Sequence, residues 1–431
     1  MEGWCCTHEN CTHTGKTGQR VQYASQYASW RHERTRHYHN CGQSCAACER
    51  WDGKTPGKAP PSLELAKAKS VYNARQYIVY IGEESREELE KELKNAVKGI
   101  EYLINGGTIK AHGIDYALEP VLVCDMAALI KVLGLYTCYH PKSQWKCPWC
   151  LVDMDNIADF TREMWPFRDK TQMWTKGEEA AKLKSNSAKK RFAATNFGIQ
   201  DKPLLRILFN HVIPCQLHCF MGVMRKLVEQ LAEYTHGKKK LGKEVEKCFV
   251  AAKITLPKRN DKMKTLEQRV AKARFGRPDY IRILENQALF LKAVEKRARR
   301  RKSQERAANI KQLWDRFALL ASLASQPKVT ITENEWLELA REFGTKFTQA
   351  FGDEEVTPYI HVFIYHLGFF LEKYGSVERF ANYATESRHF QNKHIPTNGH
   401  SIQGSDKKKL LLSTTGVFLP PRTVSRRRNA A

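Results

Sequence analysis

Two periodicities alternate along the chain from Tyr72 onward. Gln76-Tyr-Ile-Val-Tyr-Ile81 is a β-branched and aromatic run that reads as a strand. Ser85 followed by Glu88 predicts a capping box, and Leu89, Leu93, Val97, Ile100 and Ile104 then recur at helical spacing until Asn105-Gly-Gly stops them. A short Gly-bounded strand is expected near Thr108–Lys110. The apolar run Val121–Val123 suits a buried strand that ends at Asp125, ahead of a helix marked by Met126, Leu129, Ile130 and Leu133. Strand alternating with helix in this way predicts an α/β core.

Beyond it the helical period takes over. Residues 152–210 are polar and read as an insertion, with Trp165, Trp174 and the basic run Lys189-Lys-Arg191. Phe220, Val223, Leu227 and Leu231 mark the next helix. From about 236 to 350 the chain is helical and basic, with a packable stripe at Leu313, Phe317, Leu320 and Leu323. Thr332 with Glu335, and Thr357 before Pro358, are helix starts, while Gly375 is a stop that leaves Ser376 to cap the next helix. The chain thus divides into a leader (1–69), an α/β segment (70–151), a helical insertion (152–330), C-terminal helices (331–395) and a basic tail (396–431), which is poor in core residues.

Composition changes this picture in two ways. Among 431 residues, Lys and Arg number 71 against 46 Asp and Glu, a net charge of +25. The excess favours a polyanionic partner such as DNA, RNA or an acidic membrane face. Its clusters are Lys238, Lys239 and Lys240, then Lys258-Arg259, then Arg297, Arg299, Arg300, Arg301 and Lys302. Blocks of like charge make best sense facing phosphates, and two of them read as nuclear-import signals, so a nuclear location is expected. No apolar run reaches the 18 residues of a membrane span, and the N-terminus lacks the apolar stretch of a signal peptide.

The thirteen cysteines, with histidines nearby, point to metal in a reducing compartment rather than to disulfides. The leader places Cys5, Cys6, His8, Cys11, His13, His32, His37, His39, Cys41, Cys45 and Cys48 within about 44 residues, with too little apolar content for a core. Their pairing is open. Cys147-Pro-Trp-Cys150 is a second knuckle, because a two-residue gap lets one turn of backbone offer two thiolates to zinc. Either Cys138 and His140, close by, or His361 and His366, far away, could complete it. Cys215 and His218 form a further candidate pair. Asp125, at the carboxyl end of a strand, sits where α/β sheets gather functional groups, although a helix N-cap would look the same.

Three blocks together resemble the catalytic core of the recombination-activating recombinase and of Transib-like transposases. They are Asp125-Met-Ala-Ala-Leu-Ile-Lys-Val-Leu-Gly-Leu135 leading to Lys146-Cys-Pro-Trp-Cys150; Ile213-Pro-Cys-Gln-Leu-His-Cys219; and His361, His366, Lys373-Tyr-Gly-Ser-Val and Glu386. The resemblance implies a DDE-type RNase H-like mixed sheet with a large helical insertion and a zinc-binding element. It implies Asp125 and Glu386 as the second and third carboxylates for Mg²⁺ or Mn²⁺. Cys147, Cys150, His361 and His366 would be the zinc ligands, DNA the partner and a homodimer the assembly. The first carboxylate has no clear counterpart: Asp52 is flanked by turn residues and Asp115 lies too close to Asp125. The chain is therefore read as N-terminally incomplete, binding DNA but with catalysis in doubt. The contrasting expectation is a zinc-stabilised RNA-binding or scaffold protein without catalysis.

Overall fold

The computed structural model describes residues 85–111, 113–260, 263–298 and 301–383, all of which belong to the unit Ala68–Ala431. The leader, the strand expected at 76–81, Asp52, Arg299, Arg300, Glu386 and the tail lie outside the described residues.

Helix α1 (Arg86–Ile104) forms as its periodicity requires. The Ser85 side chain accepts the Glu88 N–H at 3.1 Å, and the helix stops at Asn105. Its Val97, Ile100 and Ile104 face is only half-buried against the core. An antiparallel hairpin comes next, β1 (Thr108–Ala111) with β2 (Ile114–Ala117), joined through Gly113 at φ +81°. Strand β2, which carries Asp115, has no counterpart in the sequence expectation.

The expected α/β core is met only in part. Among the described residues the hairpin is the whole sheet, and the protein is mostly helical. Among the described residues the run Val121–Val123 joins no sheet. It makes one parallel bridge, Leu122 to Val212, with the Leu122 N–H bonded to the His211 carbonyl and the Ile213 N–H to the Leu122 carbonyl, both at 2.9 Å. The bridge sets two chain segments side by side and in the same direction. One ends at Asp125, the other at Cys215.

Asp125 caps α2 (Met126–Val132) by accepting the Ala128 N–H at 2.6 Å. Helices α3 (Lys170–Ala181) and α4 (Asn186–Thr195) start at Asp169 and Ser185 in the same way. Helix α5 (Gln216–Tyr234) is the hub. Apolar on most of its circumference, as a helix surrounded by others must be, it buries Phe220, Val223, Met224, Leu227, Val228 and Leu231. The basic region forms α6 (Lys239–Ala251), α7 (Leu266–Lys272), α8 (Arg277–Glu285), α9 (Gln287–Arg297) and α10 (Arg301–Ala324). The predicted α10 stripe is buried at Leu313, Phe317 and Leu320, joined by Ile310 and Trp314, with Leu323 half-buried. At about 1.5–3 kcal/mol for each large side chain removed from water, this stripe is a main anchor of the basic region.

Thr332 and Glu335 form the predicted capping box of α11 (Glu333–Phe351). Thr357 caps α12 (Pro358–Tyr365), and Gly375, at φ +66°, ends α13 (Leu367–Tyr374). One continuous helix was expected between Thr357 and Gly375. It is interrupted at His366, the C-cap of α12, whose φ of −115° departs from the roughly −63° of a regular helix. The cause is Trp336 on α11. Its indole N–H donates to the carbonyls of Phe363 and Ile364 at 3.1 and 3.2 Å, the groups that Leu367 and Gly368 would use in an unbroken helix. Gly368 makes room for that indole, since a Cβ there would lie 2.7 Å from Trp336 Cδ1. Ser376 does not cap a helix. Its hydroxyl donates to the Gln326 carbonyl, and a short 3-10 turn, Glu378–Phe380, comes after it.

Overpacking of this kind costs about 1–3 kcal/mol. Gly368→Ala is therefore expected to lower the urea midpoint of unfolding, while Gly242→Ala, where a Cβ would meet nothing nearer than 3.6 Å, should not. Equal midpoints for the two variants would show that Trp336 does not hold the break.

Candidate metal centre

The knuckle is built by local hydrogen bonds. The Trp149 N–H donates to Cys147 Sγ at 3.3 Å, the Lys146 N–H to the Val152 carbonyl, and the Met154 N–H to the Gln144 carbonyl. This tight loop turns both thiols to one side. It is pinned to the core by the Trp149 indole N–H, which donates to the Val212 carbonyl at 2.6 Å. The knuckle is thereby tied to the Leu122–Val212 bridge at Val212.

The histidines arrive from α12 and its broken end. Five residues apart on a continuous helix, their directions would differ by about 140°. The break at His366 removes that constraint. His366 Nε2 lies 3.4 Å from Cys147 Sγ, and His361 Nε2 lies 3.2 Å from Cys150 Sγ. All four donor atoms fall within 4.8 Å of one another and all four residues are buried. In tetrahedral zinc with bonds of roughly 2.0–2.3 Å, adjacent donor atoms lie about 3.3–3.8 Å apart. The two Cys–His separations of 3.2 and 3.4 Å are close to that range and the whole set fits within 4.8 Å, and two soft thiolates with two imidazoles are a zinc donor set. It could hold a metal such as zinc.

The surroundings favour the charged form of one thiol. Burial opposes ionisation of Cys147, but hydrogen bonding from Cys150 and the nearby His366 and His361 rings hold its pKa well below the ordinary value. Burial and the Cys147 sulfur push Cys150 the other way. A dication removes this conflict by neutralising two thiolates together. His361 is kept neutral by burial, which lowers its pKa below the ordinary 6.5 against the opposing pull of Cys147. Among the described residues its Nδ1 has no hydrogen-bond partner.

Around the donors stand residues from the polar stretch after the knuckle. Phe167 stacks on His366 at 5.5 Å between centroids, and Trp165 meets His361 edge-on at 6.1 Å. Tyr365 Oη donates to the carbonyls of Asp159 and Arg162, both at 3.0 Å. Arg168 is buried and spends its guanidinium on carbonyls: Nε and Nη2 on Cys147 at 3.2 and 2.7 Å, Nη1 on Phe197. Burial lowers the Arg168 pKa, and the Cys147, Cys150 and Cys138 thiols oppose that shift. Of these, sequence marked only Trp165, and not as a neighbour of the site. The aromatic pair in Trp165-Pro-Phe167-Arg168, inside an otherwise polar stretch, was the available signal.

The other candidate ligands lie apart from this cluster. Cys138 is buried with its sulfur 3.5 Å from Met126 Sδ, and His140 Nδ1 accepts the Lys142 N–H. Neither belongs to the four-donor set, so the fold takes the long-range completion. His218 Nδ1 lies 3.1 Å from Cys215 Sγ, but among the described residues these two do not join a set of three donors. Asp125 is half-buried and acts as the N-cap. Asn382 and Tyr383, the last described residues, return to this place. Asn382 Nδ2 donates to the Val123 carbonyl at 3.5 Å, and Tyr383 packs with Val123, Cys215 and Leu217. In the basic clusters, Lys238 Nζ donates to the Tyr234 carbonyl and sits 3.7 Å over its ring, and Arg301 pairs with Glu305. Lys239 and Lys240 are exposed. The side chains of Arg297 and Lys302 are outside the described set. No described helix is long and apolar enough to cross a membrane.

The chain matches no known family and no curated protein.

Two outcomes are expected. Cys147→Ser, Cys150→Ser, His361→Ala and His366→Ala should each lower bound zinc by one equivalent per chain relative to wild type, with Cys138→Ser and His140→Ala unchanged. Metal content of dialysed protein reads this directly. In metal-free protein, the lowered folded pKa of His361 means that its unfolded form takes up the proton first. The contribution is fully present above 6.5 and is lost as pH falls below that value through the folded pKa. Urea midpoints should therefore decline with pH below 6.5 more steeply in the wild type than in His361→Gln.

Proposed function

We propose that the chain is a DNA-binding protein of DDE-type transposase ancestry, in which a structural zinc fastens the two-histidine helix to the segment that carries Asp125. The observation that supports this most is the donor set itself. Cys150 and His361, 211 residues apart, and Cys147 and His366, 219 apart, meet in one buried cluster. That is the ligand set the resemblance implies, and nothing in local sequence demands it.

Three further features are consistent with it. The parallel Leu122–Val212 bridge brings Asp125 and the Cys215–His218 pair to the same end of two neighbouring segments, as the carboxyl ends of strands in an RNase H-like sheet would. The chain at Asn382–Tyr383 touches Val123, and Glu386 comes three residues later, at most about 11 Å of extended chain. Asp125 uses Oδ1 for the N-cap, which leaves its second oxygen for a hard cation.

Phosphodiester cleavage through two divalent ions calls for carboxylates that hold both. Asp125 and Glu386 are two. Asp115 lies on the exposed β2 strand and is a poor third. The reading therefore centres on binding, by a chain of net charge +25 with exposed cations on α6. A nuclear site of action and a dimer on two DNA ends belong to the same proposal.

DNA affinity should fall steeply with salt, and Lys239→Ala with Lys240→Ala should shrink the log–log slope by about 1–2, near 0.9 for each phosphate no longer neutralised. Filter binding across a salt series measures it. Weak, salt-insensitive DNA binding beside tight RNA binding would sink the proposal. In a Mg²⁺ or Mn²⁺ nicking assay, wild type, Asp125→Ala and Glu386→Ala should be alike; nicking confined to the wild type would restore a catalytic role to both.

A further inference from the structure

Between the end of α6 and the start of α8 the structure holds an open cavity of about 360 Å³, lined by Ile254–Lys258, Ala273–Phe275 and Asp279. Its walls are fixed. Lys253, at a φ of +57°, turns the chain sharply off α6, with the Ile254 N–H bonded to the Phe249 carbonyl at 2.9 Å. A non-glycine residue with positive φ is uncommon and persists where its surroundings hold it. Arg269 then clamps the wall by donating from Nε to the Pro257 carbonyl at 2.7 Å and from Nη1 to Glu246 at 2.8 Å. Arg259 reaches the same carboxylate. On the opposite side Phe275 is braced by Phe249, parallel at 6.1 Å, and by Tyr280, edge-on at 5.5 Å.

The cavity therefore offers a braced aromatic ring and, at its mouth, two exposed cations. Lys258 and Arg274 have no hydrogen-bond or ion-pair partner among the described residues, unlike the neighbouring Arg259, Arg269 and Arg282. The one carboxylate in the lining, Asp279, is already engaged: Oδ2 accepts the Gly276 N–H at 2.9 Å and Oδ1 accepts from Arg282. An incoming anion meets two free positive charges and a compensated negative one. Exposed Lys243, Lys247 and Lys253 continue the positive character along α6 toward the cavity.

We propose that this cavity is a subsite for one unpaired nucleotide of a single strand, its base against Phe275 and its phosphate between Lys258 and Arg274. A π-face with flanking cations suits single-stranded nucleic acid, since every base can stack and sequence is not read. A paired base inside a duplex does not present its face. The subsite deepens the DNA-binding reading above and rests on it.

The test compares a short fluorescently labelled single strand with the same sequence as duplex, by anisotropy with the full chain at fixed salt. Phe275→Leu keeps apolar volume and removes the aromatic face. It should weaken single-strand binding roughly tenfold, within the range for removing one base–aromatic stack, and leave duplex binding unchanged. Lys258→Ala with Arg274→Ala leaves the core intact, and should weaken single-strand binding and reduce its salt slope. Wild-type single-strand affinity in both variants, with duplex binding retained, overturns the subsite and spares the DNA-binding reading. Equal losses on single strand and duplex also overturn it, by reducing the site to general basic surface. A wild-type chain that binds neither form defeats the DNA-binding reading and the subsite with it.

Discussion

Four buried donors from two distant segments share a space the width of one ion, and much of the fold is arranged so that they can. Two thiols and two imidazoles close together in an apolar interior are a poor arrangement by themselves, because burial opposes a thiolate and a second proton has nowhere comfortable to go. The effect shows in the opposite shifts of Cys147 and Cys150. A dication converts the same set into a neutral, satisfied centre. Its binding free energy then counts toward folding, as in other sites whose ligands come together only in the folded chain.

The constraint propagates outward in both directions. The break that Trp336 holds, by bonding to the carbonyls exposed there, also lets His366 come round to Cys147. The knuckle in turn is tied through Trp149 to Val212, hence to Leu122 and the segment ending at Asp125. A chain of direct contacts thus runs from α11 through the donors to the N-cap of α2. Arg168 belongs to this scaffold too, since a buried guanidinium on the Cys147 carbonyl fixes the knuckle from behind. Among the basic helices, α7 and α8 pack on the hub helix α5 and α9 packs on α10, while Lys239 and Lys240 stay in solvent.

Sequence disclosed the helices well where an apolar stripe and a cap agreed. Ser85 with the Leu89–Ile104 stripe, Thr332 with Glu335, and Gly375 all act as expected. It disclosed the four donors as residue types, but spacing within the chain left two completions open. What closed the choice was tertiary: Cys138 is occupied by Met126, and the broken helix delivers both histidines. That break was illegible because its cause, Trp336, sits 30 residues upstream of His366. Val121–Val123 looked like a strand for sound local reasons, and among the described residues its one strand-like pairing is the Leu122–Val212 bridge. Arg168 was hidden because charged residues in polar stretches are usually solvent-facing, and nothing local marks the exception.

The central claim is that one metal ion joins the knuckle to the two-histidine helix. Hydrogen exchange followed by mass spectrometry, with and without a zinc chelator, addresses it most directly. If the claim is right, residues 145–152 and 358–374 lose amide protection together when metal is removed, while α10 keeps its own. Loss confined to one of the two segments, or to neither, would contradict it.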